Sequence, residues 1–412
     1  MKMTGDSVLK MHPLARRAEN EEEMLIGRTD ISNFIVLPVI GVEIIDLLDE
    51  GKTVNEVATI MEERLGEPVD VLDFANDLAA SYQFVHTVDG EVVNEPVAVV
   101  DHFSWIKEAT GQFFFNRVAF CLYGCVFLAG VLLCAFTGKY IPVYSDIFVS
   151  TSVTVSVLAS FVTIWMFLFF HELAHLLAAR SLSIGSRIGL GHRLVFAVAE
   201  TNMSNIVLVE PGRRYKAFVA GMAWDATFWG IGVILLFAHD AGWVSLLPFI
   251  QAFIRMVNVI LLMALAFQFM VFMQTDVYYM LATRFRCANL LMNTRLFLKS
   301  KIRSLTQEEQ EEWEYVSLHE KQVIRWYSWV YLIGSVWAIW FFVQYQLRMA
   351  IDFIAKIADE MRHASVASWQ FWDGILLIIL VLVPFFIVGW SWLRAYRQRK
   401  SERERAKSLQ EA

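Results

Sequence analysis

Residues 148–176 read FVSTSVTVSVLASFVTIWMFLFFHELAHL. From Phe148 to Phe170 the run carries no charge and is long enough for the roughly 20 helical residues that the hydrocarbon core of a bilayer needs. It ends on His171, Glu172 and His175, an H-E-x-x-H pattern. Residues four apart share a helix face, so His171 and His175 can offer two imidazole nitrogens to one metal ion while Glu172 stands one step around the helix. Ionisable groups at the edge of a membrane-length helix are costly unless ligated, paired or turned to water, which makes the trio a functional site by default. A catalytic zinc ion takes three protein ligands and keeps a position for water, with a non-ligating carboxylate as general base. The motif supplies two ligands and the base, so the third ligand lies elsewhere.

Composition points the same way. Of 412 residues 57% are hydrophobic and 19% charged, too apolar for a soluble multidomain protein. The four cysteines, Cys121, Cys125, Cys134 and Cys287, form no C-x-x-C and suggest packing rather than a disulfide framework. Around the quoted run, six apolar spans are expected: Arg117 to Phe136, Phe148 to Phe170 running on through the motif, Ala217 to Ala238, Pro248 to Met273, Ser328 to Tyr345 and Gly374 to Trp392. Basic residues crowd the segments after the second span (Arg180, Arg187, Arg193, Arg213, Arg214, Lys216), after the fourth (Arg284, Arg286, Arg295, Lys299) and after the sixth (Arg394, Arg397, Lys400), whereas 137–146 and 239–247 are nearly free of them. The positive-inside rule then puts both termini in the cytosol, and Met1 to Asn20 has no apolar core of a signal peptide.

The second and fourth spans run in the same direction, so the end of the fourth lies at the depth of His171. There the sequence reads Gln274-Thr275-Asp276-Val277-Tyr278-Tyr279, and Asp276 is the natural third ligand. With H-E-x-x-H on one span and an Asp at the end of a later one, 148–282 resembles the site-2 protease (M50) family of intramembrane zinc metallopeptidases. Val277 stands where that family usually has Gly, and no Pro precedes Asp276, so the helix is expected to run on through it. Between the core spans, the alternation within Arg187 to Glu210 predicts a β-hairpin turning near Thr201 to Asn205, which in the family lies near the active site. Gly221-Met222-Ala223-Trp224-Asp225 occupies the place of the family's G-P-x-x-N; Asp225 reads as an intramembrane structural partner, and His192 and Asp225 as candidate substrate or transition-state contacts. Arg255, Asn258 and Gln268 read as polar glue between helices.

The N-terminal part has a different texture. Short extended stretches at Leu14 to Arg17, Met24 to Arg28 and Asn33 to Leu37 precede helices at Val39 to Glu50, Val54 to Leu65 and Val71 to Tyr82. Thr53 with Glu56 makes a capping box, Gly66 suits a C-cap, Asp70 caps the third helix, and Asp89-Gly90 marks a hairpin. This order resembles the PqqD-like winged-helix domain, or RiPP recognition element, which binds the leader of a ribosomally made precursor peptide as an added strand. Here that groove would lie between Ile31 to Leu37 and Val71 to Tyr82. The acidic run Glu19, Glu21, Glu22, Glu23 and the lack of a basic recognition helix argue against nucleic acid.

The expected fold class is a polytopic α-helical membrane protein of six transmembrane helices with an N-terminal α+β winged-helix (PqqD-like) cytosolic domain: 1–95 the peptide-binding domain, 96–116 a linker with an interfacial helix, 117–394 the membrane domain and 395–412 a charged cytosolic tail. The two resemblances imply a metalloendopeptidase of a bacterial cell membrane. Zn2+ would sit on His171, His175 and Asp276 with Glu172 as base, cutting a leader-bound precursor peptide during maturation or export, with peptide-modifying enzymes and an exporter as further partners. The rival is a catalytically inactive membrane protein for peptide binding, immunity or export, against which the intact Glu172 argues. No nucleotide-binding motif or internal repeat supports a transporter.

Overall fold

The computed structural model describes all residues except 1–2, 99–100, 151–152, 194–195, 288, 364 and 412, and all side chains except theirs and those of 153, 192–193, 196–197, 308, 345–346, 349, 352–353, 356, 360, 363, 370, 384, 395, 398–399 and 401–411. It divides into two compact units.

The first comprises Met1–Trp105 with two later segments, Ile184–Arg187 and Met203–Arg214. Strands β1 (Leu9–Met11), β2 (Leu14–Ala18), β3 (Glu23–Arg28) and β4 (Asn33–Pro38) lead into helices α1 (Val39–Asp49), α2 (Val54–Leu65) and α3 (Val71–Ala80), then the hairpin β5 (Val85–Val88) and β6 (Glu91–Val92). Capping chemistry fixes the helix ends: Thr53 and Glu56 form the reciprocal box, Gly66 takes the left-handed conformation at φ 78°, and the Asp70 side chain accepts from the Asp73 N–H. Asp89 and Gly90, both at positive φ, close the hairpin as a two-residue turn requires. One sheet runs β2-β3-β4 and the other β1-β5-β6. The three-residue β1, which pairs with β5 and alternates buried, exposed, buried, has no counterpart among the expected strands, since one alternation is too short a signal to mark a strand. Ile26, Ile45, Leu48, Val57, Met61, Leu78 and Phe84 form the core. Beside it lies Arg28, 1% exposed, whose guanidinium donates to Asp30 and to the carbonyls of Gln83 and Glu95.

This unit also holds the later segments by hydrogen bonds. Asn205 donates to the Thr29 carbonyl (3.1 Å) and accepts from the Ser32 hydroxyl (3.0 Å), Arg17 donates to the Val209 carbonyl (3.2 Å), and the Asp101 carboxylate accepts from the Ser186 N–H (3.0 Å).

The second unit is helical. Among the described residues six helices are long and apolar enough to cross a membrane: Glu108–Thr137, Thr154–Arg180, Pro211–Asp240, Pro248–Phe267, Leu318–Gln344 and Phe371–Arg394. They include α4 (Glu108–Phe114) with α5 (Arg117–Thr137), α6 (Val153–Arg180), α7 (Pro211–Asp240) and α8 (Pro248–Phe267). After α9 (Asp276–Arg284), α10 (Leu290–Ile302) and α11 (Gln307–Tyr315) come α12 (Leu318–Phe341), the amphipathic α13 (Arg348–His363) and α14 (Trp369–Glu411). Close packing needs missing side chains at two crossings. A Cβ on Gly111 of α4 would lie 2.4 Å from the Leu177 carbonyl oxygen of α6, and one on Gly230 of α7 would lie 2.6 Å from that of Val126 in α5.

Two expectations fail here. The fourth span ends at Phe267, six residues before Met273, and the chain does not continue as a helix through Asp276. Instead it makes a 3-10 turn at Val271–Met273, passes through Gln274 at φ 55°, and starts α9 at Asp276. The break needs neither Gly nor Pro, because the Thr275 hydroxyl donates to the Gln268 carbonyl left open at the end of α8 (2.6 Å). Strands β7 (Arg187–Arg193) and β8 (Phe196–Asn202) pair with each other as expected, the residues between them lie outside the described ones, and no turn falls at Thr201 and Asn202. Thr201 and Asn202 belong to β8, and Ser204–Leu208 is a 3-10 turn.

Candidate metal centre

Helix α6 presents His171, Glu172 and His175 within two turns, all buried. Asp276 reaches them from the first position of α9. The Nε2 atoms of His171 and His175 lie 3.1 Å apart, and each is 3.1 Å from Asp276 Oδ2.

The outer edges of the rings decide what this triangle is. His175 Nδ1 lies 2.8 Å from the Ala217 carbonyl oxygen, which can only accept, so the ring proton is on Nδ1. His171 Nδ1 lies 2.6 Å from Asp225 Oδ2, a carboxylate acceptor, with the same consequence. With both rings neutral, the Nε2 atoms then present lone pairs, and a carboxylate oxygen joins them. Three acceptors converging in a buried pocket repel one another unless a cation sits among them. A tetrahedral ion bonded at about 2.0–2.1 Å holds its ligand atoms about 3.3 Å apart, which matches the triangle. His171, His175 and Asp276 thus form a buried group that could hold a metal ion. No family model, curated protein or solved structure matches the chain. The chemistry of the site therefore rests on its own geometry.

Helix α7 moulds itself to the motif through positions one turn apart. Ala217 supplies the carbonyl for His175, and Asp225 the carboxylate for His171. Between them Gly221 lies so close that a Cβ there would come 2.5 Å from His171 Nε2 and 2.6 Å from His175 Nε2. Asp225 faces the Nδ1 edge of the ring, away from the converging Nε2 atoms, and is not among the three ligand atoms.

Glu172 stays out of the ligand group as well. The Thr201 hydroxyl of β8 lies 2.7 Å from Glu172 Oε2 and 3.0 Å from its carbonyl oxygen. Gln268, which the sequence presents only as helix glue, comes to the metal-facing side: its Nε2 is 3.5 Å from His171 Nε2, while its Oε1 accepts from the Asp276 N–H at 3.1 Å. That donor fixes the amide with oxygen towards Asp276 and nitrogen towards the centre. An amide inside an apolar span was the signal for Gln268; Thr201 offered none, since its partner is 29 residues away. His192 lies on β7 and its side chain is outside the described residues.

Proposed function

We propose that the chain is a membrane-embedded zinc metalloendopeptidase, similar in its core to the site-2 protease family, that acts on a ribosomally made precursor peptide whose leader is captured by a PqqD-like N-terminal domain. The observation that carries this reading is the three convergent acceptors with a buried carboxylate next to them in the chain that stays outside the ligand group. Two imidazoles and one carboxylate suit zinc, and a purely structural site would need no base. Bound there, zinc supplies a Lewis acid that polarises a peptide carbonyl and acidifies water.

The chain's own groups do the rest. Thr201 occupies Glu172 Oε2, which leaves Oε1 to take a proton from the attacking water and pass it to the leaving amine. The Gln268 amide, its oxygen held by the Asp276 N–H, turns an N–H donor towards the place where a peptide carbonyl oxygen would sit. Capture by β-augmentation is supported by β4, which among the described residues pairs with β3 alone and ends the β2-β3-β4 sheet. The distribution of Lys and Arg supports cytosolic termini and a centre near the cytosolic face of a cell membrane.

The test is Glu172→Gln in the full chain. Zinc content should stay at the wild-type level while precursor cleavage falls by about two to four orders of magnitude. Cleavage at the wild-type rate sinks the protease reading, and a wild-type protein that binds peptide and metal without cutting supports the inactive binding protein instead.

A further inference from the structure

The residues that α7 sets against the H-E-x-x-H motif, Ala217, Gly221 and Asp225, follow one another at intervals of four, the interval that separates His171 from His175. Residues at that spacing share a helix face, so α7 answers each imidazole with an acceptor and places the smallest residue between them. The two acceptors differ. His175 donates to a neutral backbone carbonyl, which any residue at 217 would supply, whereas His171 donates to a carboxylate that only residue 225 provides.

We propose that Asp225 is a positioning residue for the metal centre: its carboxylate, 2% exposed and 2.6 Å from His171 Nδ1, fixes the ring proton on that nitrogen and aims Nε2 at the ion. This deepens the proposed function, since it specifies how the same centre is held. Electrostatics explain why an acid stands there. A divalent ion on two neutral imidazoles and the Asp276 carboxylate leaves one positive charge in apolar surroundings, where an uncompensated charge is costly. The Asp225 carboxylate cancels it without taking a coordination position, because it acts through the far edge of the ring. An Asn could still accept from Nδ1 through its amide oxygen but would leave the charge; a Leu would do neither.

The experiment measures metal affinity, so it stands whether or not the protein cuts peptide. Full-length wild type, Asp225→Asn and Asp225→Leu in detergent are titrated with Zn2+ against a chromophoric chelator, with the Tm of each metal-free protein recorded alongside. Asp225→Leu should bind zinc about 10–100-fold more weakly than wild type, the usual loss for an outer-shell partner, and Asp225→Asn should fall between the two. In cleavage assays at saturating zinc, the loss should appear in kcat with KM unchanged. Zinc affinity of Asp225→Leu within about two-fold of wild type overturns the assignment. So does an Asn variant no tighter than the Leu variant, since the retained acceptor would then count for nothing. Failure of cleavage in the wild type, with the affinity order intact, would strike the protease reading and leave the role of Asp225 standing.

Discussion

Two histidine pairs in this protein have the same spacing and opposite electronics. The rings of His171 and His175 have centroids 4.8 Å apart, and so do those of His12 and His86 in the first unit. In the first pair the outer nitrogens donate to Asp225 and Ala217, so in the neutral rings the inner ones turn lone pairs towards Asp276. In the second, His12 Nε2 and His86 Nδ1 both lie 3.0 Å from the Asn94 carbonyl oxygen, so both are N–H donors converging on an acceptor. Three ligand atoms that could hold a cation converge in the first centre, whereas in the second the imidazole N–H groups already take up the one carbonyl oxygen between them. Proximity of imidazoles does not make a metal site. The direction of their protons does.

The contrast breaks most visibly at Gly221. Ala would ordinarily favour a helix over Gly by about 1 kcal/mol, but here its methyl would drive into both ligand imidazoles. Gly221→Ala should therefore lose zinc binding by more than about 100-fold while the helical circular-dichroism signal persists. His86→Phe should leave zinc content unchanged, and a matching loss there would mean that the second pair takes part in metal binding after all.

The next largest effect sharpens the role of the first unit. The Val39 N–H donates to the Glu22 carbonyl, and the β3–β4 register carries that ladder on without a shift, so the N–H groups of Ile35 and Leu37 point at β3 and those of Phe34 and Val36 at the open edge. Val36→Pro removes a donor only from that edge, and should raise KM for the full precursor by about ten-fold, roughly one good hydrogen bond, with kcat and zinc content unchanged. Ile35→Pro strikes the ladder itself and should lower the Tm of the chain. An unchanged KM in Val36→Pro would remove β4 from the capture mechanism.

The smallest effect is one of pH. Burial first, and the Arg28 charge second, lower the pKa of His12, so the unfolded chain binds more protons than the folded one between that lowered value and about 6.5. Stability contributed by neutral His12 is complete above about 6.5 and is lost as the pH falls towards the folded value. Asp30 behaves separately: its hydrogen bond to Arg28 holds it down to about 2, so its contribution survives to a pH near 4 and is lost as the pH falls on towards 2. Denaturant midpoints of the first unit, followed between pH 8 and 2, should decline in two windows, and His12→Phe should abolish the upper one.

What the sequence exposed was what local rules govern. The membrane run, the four-residue spacing of His171 and His175 and the caps at Thr53, Gly66 and Asp70 all express helix periodicity or first-turn chemistry, which neighbours in the chain decide. Asp276 could be nominated because span length fixes depth. Hidden were the features decided across space. The break before Asp276 depends on Thr275 closing onto Gln268, Thr201 and Asn202 fall within β8 because alternation alone does not say where a strand ends, and Thr201 finds Glu172 only through the fold.

The first unit is assembled from residues far apart in the chain, and this sets an order of events during synthesis. Its strands and helices up to Trp105 leave the ribosome first, yet Asn205 and the Val209 carbonyl, which Thr29, Ser32 and Arg17 bind, emerge about 100 residues later. At about 5–20 residues per second that is a wait of roughly 5–20 s, during which two apolar helices, Glu108–Thr137 and Thr154–Arg180, are also made. The first unit therefore reaches its final form only after the translation machinery has produced, and a membrane has had the chance to receive, the helix that carries the two histidines of the candidate metal centre.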